Sequence, residues 1–62
     1  MKKFSVMVGN DSLVMNCRAA TDSKKIAIVE AKTVREMFPN IRFVNIYKWN
    51  ARYNTYTPYK CL

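Results

Sequence analysis

The stretch Ile41-Arg42-Phe43-Val44-Asn45-Ile46-Tyr47-Lys48-Trp49 decides how this 62-residue chain folds and where its useful surface lies. Successive side chains of a strand point to opposite faces, so parity sorts the segment into two sets. Arg42, Val44, Ile46 and Lys48 share one face, and Phe43, Asn45, Tyr47 and Trp49 share the other. One set is aliphatic at its centre and the other is mainly aromatic. Whichever face a helix covers, the other is left for solvent or a partner.

Downstream, Asn50-Ala51-Arg52 reads as a short turn, and Tyr53 to Cys61 as a further strand rich in Tyr and Thr, which favour pleated structure. Pro58 lacks a backbone donor, so this strand belongs at a sheet edge or ends early. Upstream, Pro39-Asn40 stops a helix, because proline cannot continue the hydrogen-bond ladder and restrains the residue before it. Ala27, Ala31, Val34 and Phe38 fall at i, i+4, i+7 and i+11, flanked by Ile26 and Met37. The spacing predicts a helix over 22–38, with N-cap chemistry in Thr21-Asp22-Ser23. The two alanines imply close packing against a sheet.

Nearer the N-terminus, Phe4, Val6 and Val8 alternate with Lys3, Ser5 and Met7. Leu13, Met15, Cys17 and Ala19 alternate with Val14, Asn16 and Arg18. Between them, Gly9-Asn10-Asp11 suits a hairpin loop, since all three tolerate positive φ. The expectation is therefore an α+β domain spanning 1–62 in the order ββαββ. It has a four-stranded, mainly antiparallel sheet with one helix packed on one face. No internal repeat or low-complexity segment interrupts it.

A chain of this length buries only ~60% of the surface it would expose unfolded, so pairing into a homodimer is a reasonable source of extra stability. The formal charge is +7. After Glu36 there is no acidic residue, while Arg42, Lys48, Arg52 and Lys60 follow. Such a balance favours nucleic acid or an acidic protein surface as partner. Cys17 and Cys61 have no CxxC spacing and no histidine beside them, so the sequence holds no zinc motif. A disulfide between them requires their two strands to be neighbours. Met1-Lys2-Lys3 leads straight into an alternating segment and not into the apolar stretch of a signal peptide. This points to the cytoplasm, a reducing compartment. No apolar run approaches the ~20 residues of a membrane-spanning helix.

Catalysis finds little support. Histidine, the usual base for a Ser or Cys nucleophile, is absent. Asp11, Asp22, Glu30 and Glu36 are scattered over a turn, a cap and a helix, and a phosphate-cradling loop needs more than one glycine. The sequence thus predicts no enzyme, no catalytic residue, no cofactor and no metal site.

The richest segment is 41–60, where six aromatics interleave with Arg42, Lys48, Arg52 and Lys60. Candidate partner-binding residues are Phe43, Tyr47, Lys48, Trp49, Arg52, Tyr53, Tyr56 and Lys60. Three uses fit them. Aromatics pair across strands simply to stabilise hairpins. Rings and arginines also form protein hot spots. Rings beside cations hold single-stranded nucleic acid, with bases stacked and phosphates neutralised. Lys24, Lys25, Lys32 and Arg35 read as a solvated helix face, and Glu30 as a residue at the rim of the apolar stripe. The leading expectation is a small inhibitor or adaptor that binds another protein through its open sheet face and last hairpin. Nucleic-acid binding and a structural homodimer are the alternatives. The compact, motif-poor character would also suit an accessory protein of a phage or mobile element.

Overall fold

The computed structural model describes residues 1–11 and 13–62. Four strands and one helix follow in the expected order: β1 (Phe4–Asp11), β2 (Val14–Thr21), α1 (Lys24–Met37), β3 (Phe43–Asn50) and β4 (Thr55–Cys61). They form one sheet of order β2-β1-β3-β4, with every adjacent pair antiparallel. Because β2 and β3 are each antiparallel to β1, they run parallel to one another with β1 between them. The helix makes that crossover, so it must lie across the sheet. The structure is the ββαββ α+β fold with one helix on one face.

The core is the meeting of that helix with the even positions of the two central strands. Ala27, Ala31 and Val34 are buried against Phe4, Val6, Val44 and Ile46. Val8, Ala19, Ile28 and Ile41 close its margins. The alanines let the helix sit close to the aliphatic floor. Phe38, expected in the same stripe, is instead 48% exposed. It is the C-cap, with φ −130° and ψ 73°, and the break in helical geometry turns its ring away from the sheet.

Each residue of Thr21-Asp22-Ser23 has a separate task. Ser23 is the N-cap, its Oγ accepting from the Ile26 amide at 3.2 Å. Thr21 Oγ1 accepts from the Ser23 amide at 3.1 Å, and Asp22 accepts from the Lys3 amide at 2.9 Å. At the other end, the Phe38 amide donates to the Val34 carbonyl at 2.8 Å and the Ile41 amide to the Phe38 carbonyl at 3.1 Å. These bonds turn the chain round Pro39.

The first hairpin departs from the sequence reading. Gly9, Asn10 and Asp11 belong to β1, and Asp11 pairs with Val14, so the strand continues through the three residues read as the loop, with Leu13 in a turn before β2. Asn10 and Asp11 still act through their side chains, accepting from the amides of Arg42 and Leu13 at 3.1 and 2.9 Å. Gly9 permits a close approach: a Cβ there would lie 2.7 Å from the Val14 carbonyl oxygen. The second turn is longer than expected, running from Ala51 to Asn54, with Asn54 at φ 53°. Asparagine is among the few non-glycine residues that adopt this left-handed conformation readily.

Both outer strands carry a register shift. In β2 it falls at Arg18, because Val6 pairs with Ala19 while Met7 pairs with Cys17. In β4 it falls at Tyr59, because Ile46 pairs with Lys60 while Tyr47 pairs with Pro58. Bulges of this kind twist an edge and deter unwanted pairing, as does a proline there. Pro58 does lie on an edge strand. Cys17 and Cys61 sit on opposite outer strands, and both thiols are free and exposed. Among the described residues, no helix is long and apolar enough to cross a membrane.

Candidate functional site

With Val44 and Ile46 buried beneath the helix, alternation sends Phe43, Asn45, Tyr47 and Trp49 to the opposite face. Strand pairing sets their neighbours. Tyr47 lies between Ser5 of β1 and Pro58 of β4, Asn45 between Met7 and Cys61, and Trp49 beside Tyr56. The β2 bulge brings Cys17 opposite Met7 on this same face, while Ala19 turns to the core. Simple alternation had put these two residues together; the extra residue Arg18 separates them.

None of these cross-paired residues carries a charge. Among the described residues Ser5 is the one buried polar residue, its Oγ 3.2 Å from Cys17 Sγ and 3.4 Å from Met7 Sδ. Around it a shallow depression of about 340 Å³ is lined by Ser5, Met7, Leu13, Met15, Tyr47 and Tyr56. Leu13, at the hairpin end, is 90% exposed. Tyr56 anchors the far margin: its ring meets Trp49 edge to face and its hydroxyl donates to the Lys2 carbonyl at 2.6 Å.

An arginine stands over a ring beyond each end of β3. The Arg42 guanidinium lies 5.4 Å from the centroid of Phe43, and that of Arg52 lies 5.9 Å from that of Tyr53. Such contacts contribute ~0.5–1 kcal/mol where exposed. Phe43, Tyr47, Trp49 and Tyr56 thus form a floor, with Arg52 and Tyr53 in the turn at one end.

Lys48 and Lys60 do not join them. Lys48 has the parity of Ile46, and Lys60 is paired with Ile46, so both project to the helix side. The bulged Tyr59 turns the same way, packing edge to face on the buried Phe4 with centroids 5.5 Å apart. Lys24 at the start of α1 and Lys48 approach the Tyr59 ring at 5.6 and 5.9 Å. A hydrogen bond from Lys24 and the charges of Lys24, Lys48 and Lys60 hold the Tyr59 phenol below its ordinary pKa. The same hydrogen bond raises that of Lys24. Sequence reading passed over Tyr59 and Lys24 because their meeting depends on the β4 bulge, which no residue pattern announces.

The helix cations are not uniformly solvated either. Arg35 donates to the carbonyls of Ile41 and Leu62, tying the helix to both ends of the C-terminal hairpin. Glu30, half-buried, has no salt bridge among the described residues. Among those residues no three of His, Cys, Asp and Glu come together as a metal site would require.

The architecture is that of a small α+β domain whose sheet is covered by its helix on one side and bare on the other. Comparison with protein-family models, curated proteins and solved structures finds no match.

Proposed function

We propose that this chain is a non-enzymatic, cytoplasmic protein-binding module that engages its partner through the bare sheet face. The observation that carries the reading is the character of that face. Its cross-paired positions are uncharged, its centre is a depression lined by Met7, Met15, Tyr47 and Tyr56, and arginines stand over rings beyond both ends of β3. An apolar, methionine- and aromatic-rich centre with a polar rim is the anatomy of protein interfaces. Methionine adapts its shape to irregular partners. The division of rings and lysines between opposite faces favours this reading over stacked bases, which need cations beside the rings. The two free, separated cysteines fit a reducing compartment.

The test uses tagged protein as bait alongside Met7→Lys and Tyr47→Lys variants, with Lys48→Gln as a control from the other side of the sheet. Circular dichroism establishes that each variant remains folded. The reading requires a stoichiometric partner protein whose recovery falls at least about tenfold in both face variants and persists in the control. Light scattering that shows a homodimer dissociated by the face variants would replace it with a structural-subunit role. A partner retained by both variants would refute it.

A further inference from the structure

On the helix side of the sheet, a second surface has the opposite chemistry. Lys24 of α1 and Lys48 of β3 approach the Tyr59 ring from separate elements, and Lys60 of β4, paired with Ile46, projects to the same side of the sheet. None of the three has a carboxylate within salt-bridge distance among the described residues; the ion pair found there joins Lys2 to Asp22 at 3.6 Å. Like charges gathered without compensation oppose folding. Alternation alone would have left Tyr59 unpaired with this cluster; the bulge places it there, braced against Phe4. The first turn of α1 likewise contains no acidic residue that would offset Lys24.

We propose that Lys24, Lys48 and Lys60, with the Tyr59 hydroxyl, form a binding site for phosphate groups of a nucleic-acid backbone. The cluster is built entirely of lysines around a hydroxyl. Ammonium groups act as point charges that suit tetrahedral phosphate oxygens, whereas planar carboxylates are matched best by the guanidinium fork of arginine. An acidic protein is therefore the poorer fit. The site is also open: Tyr59 is 40% exposed and sits on an edge strand. A backbone passing over the edge can place successive phosphates against the three lysines, while a small phosphate compound would remain largely in water. The depressed Tyr59 pKa has the same origin, since a potential that favours a phenolate also favours a phosphate oxygen. The site lies on the opposite side of the sheet from the proposed protein-binding face and does not depend on it.

The experiment is titration of a fluorescein-labelled single-stranded DNA 20-mer with the full chain across a salt series. Three neutralised phosphates give a slope of log affinity against log salt near −2, or ~20-fold weaker binding at 200 mM than at 50 mM salt. Lys24→Gln, Lys48→Gln and Lys60→Gln should each weaken binding and flatten the slope by ~0.7. Lys32→Gln removes the same charge from another part of the helix and should leave the slope nearly unchanged. Tyr59→Phe, which keeps every charge, should weaken binding several-fold at constant slope, about 1 kcal/mol or less for one hydrogen bond. Circular dichroism and urea midpoints verify that each variant is folded. Equal effects of Lys32→Gln and Lys24→Gln would overturn the site, as would unchanged binding in the Lys24/Lys48/Lys60 triple variant. So would the absence of oligonucleotide binding. Inorganic phosphate displacing the 20-mer at millimolar concentration would overturn the backbone as the source of the phosphate.

Discussion

The rings of Trp49 and Tyr56 meet edge to face across the β3–β4 hairpin, centroids 5.2 Å apart and planes inclined at 73°. The two residues are directly cross-paired, and each also fastens the N-terminal segment. The Trp49 amide donates to the Lys3 carbonyl at 2.7 Å and the Tyr56 hydroxyl to the Lys2 carbonyl at 2.6 Å. The pair is therefore a joint between three stretches of chain as well as a rim of the bare face.

Truncating that joint has a measurable consequence. An edge-to-face pair is worth ~0.5–1.5 kcal/mol beyond the area it buries. Trp49→Ala should lower stability by about 1–3 kcal/mol, while Trp49→Phe should recover part of the loss. Tyr56→Phe, which keeps the ring and removes one hydrogen bond, should cost about 0.5–1.5 kcal/mol. Urea unfolding followed by far-ultraviolet circular dichroism reads all three. An Ala variant as stable as the parent would remove the pair from the account of the fold.

Gly9 supplies a sharper steric test. A Cβ at this position would stand 2.7 Å from the Val14 carbonyl oxygen and 3.2 Å from Met15 Cα, both backbone atoms that cannot swing aside. Gly9→Ala should therefore destabilise by about 1–3 kcal/mol, the cost typical of overpacking. In a relaxed strand the same change would stabilise, because glycine loses more chain entropy on folding. The sign of the change in urea midpoint decides between them.

That glycine also shows where reading the sequence succeeded and where it failed. The two faces of Phe43–Trp49 were legible from alternation, and the structure puts Val44 and Ile46 under the helix, against its two alanines. Pro58 marked β4 as an edge strand. Gly9-Asn10-Asp11 reads as a loop of residues that tolerate positive φ, but all three are strand residues and none has a positive φ. Asn10 and Asp11 do cap backbone amides, but the chain pairs on to Asp11 before reversing. The bulges at Arg18 and Tyr59 left no sequence signal, since both are ordinary strand residues whose insertion reassigns the faces around them. Bulge placement reflects pairing with β1 and β3, a tertiary contest that local alternation does not record. Hence Lys60, expected beside the rings, lies on the helix side; Lys48 lies there by the plain alternation of β3.

Asp22 makes stability depend on pH at the acid end. Its carboxylate accepts the Lys3 amide at 2.9 Å and sits near Lys2, and these hold its pKa below the ordinary value of 3.8. A carboxylate with a depressed folded-state pKa stabilises fully above its unfolded pKa and loses that contribution as pH falls through the folded value. Melting temperature should consequently fall as pH drops below about 4. Asp22→Asn keeps an oxygen acceptor without a titrating charge, so its melting temperature should vary less than the parent's across that range. Parallel curves for parent and variant would remove Asp22 from the account of the acid sensitivity.

Arg35 closes the molecule. From the last turn of α1 its guanidinium donates to the Ile41 carbonyl at the entry to β3 and, at 2.7 Å, to the Leu62 carbonyl beyond β4. The Leu62 amide in turn donates to the Val44 carbonyl at 2.9 Å, next to the buried core. One side chain thereby joins the helix to both strands of the second hairpin, a task that needs two donors held at a fixed spread. Lysine offers a single flexible ammonium and cannot reach both carbonyls in that geometry. Arg35→Lys should therefore cost about 1–2 kcal/mol although the charge is kept, and Arg35→Gln as much or more. Hydrogen exchange distinguishes this from a general electrostatic effect. The Leu62 amide should lose protection in Arg35→Lys while those of the β1–β2 hairpin keep theirs. A uniform loss across all strands would mean that Arg35 acts on global stability and not as a local tie.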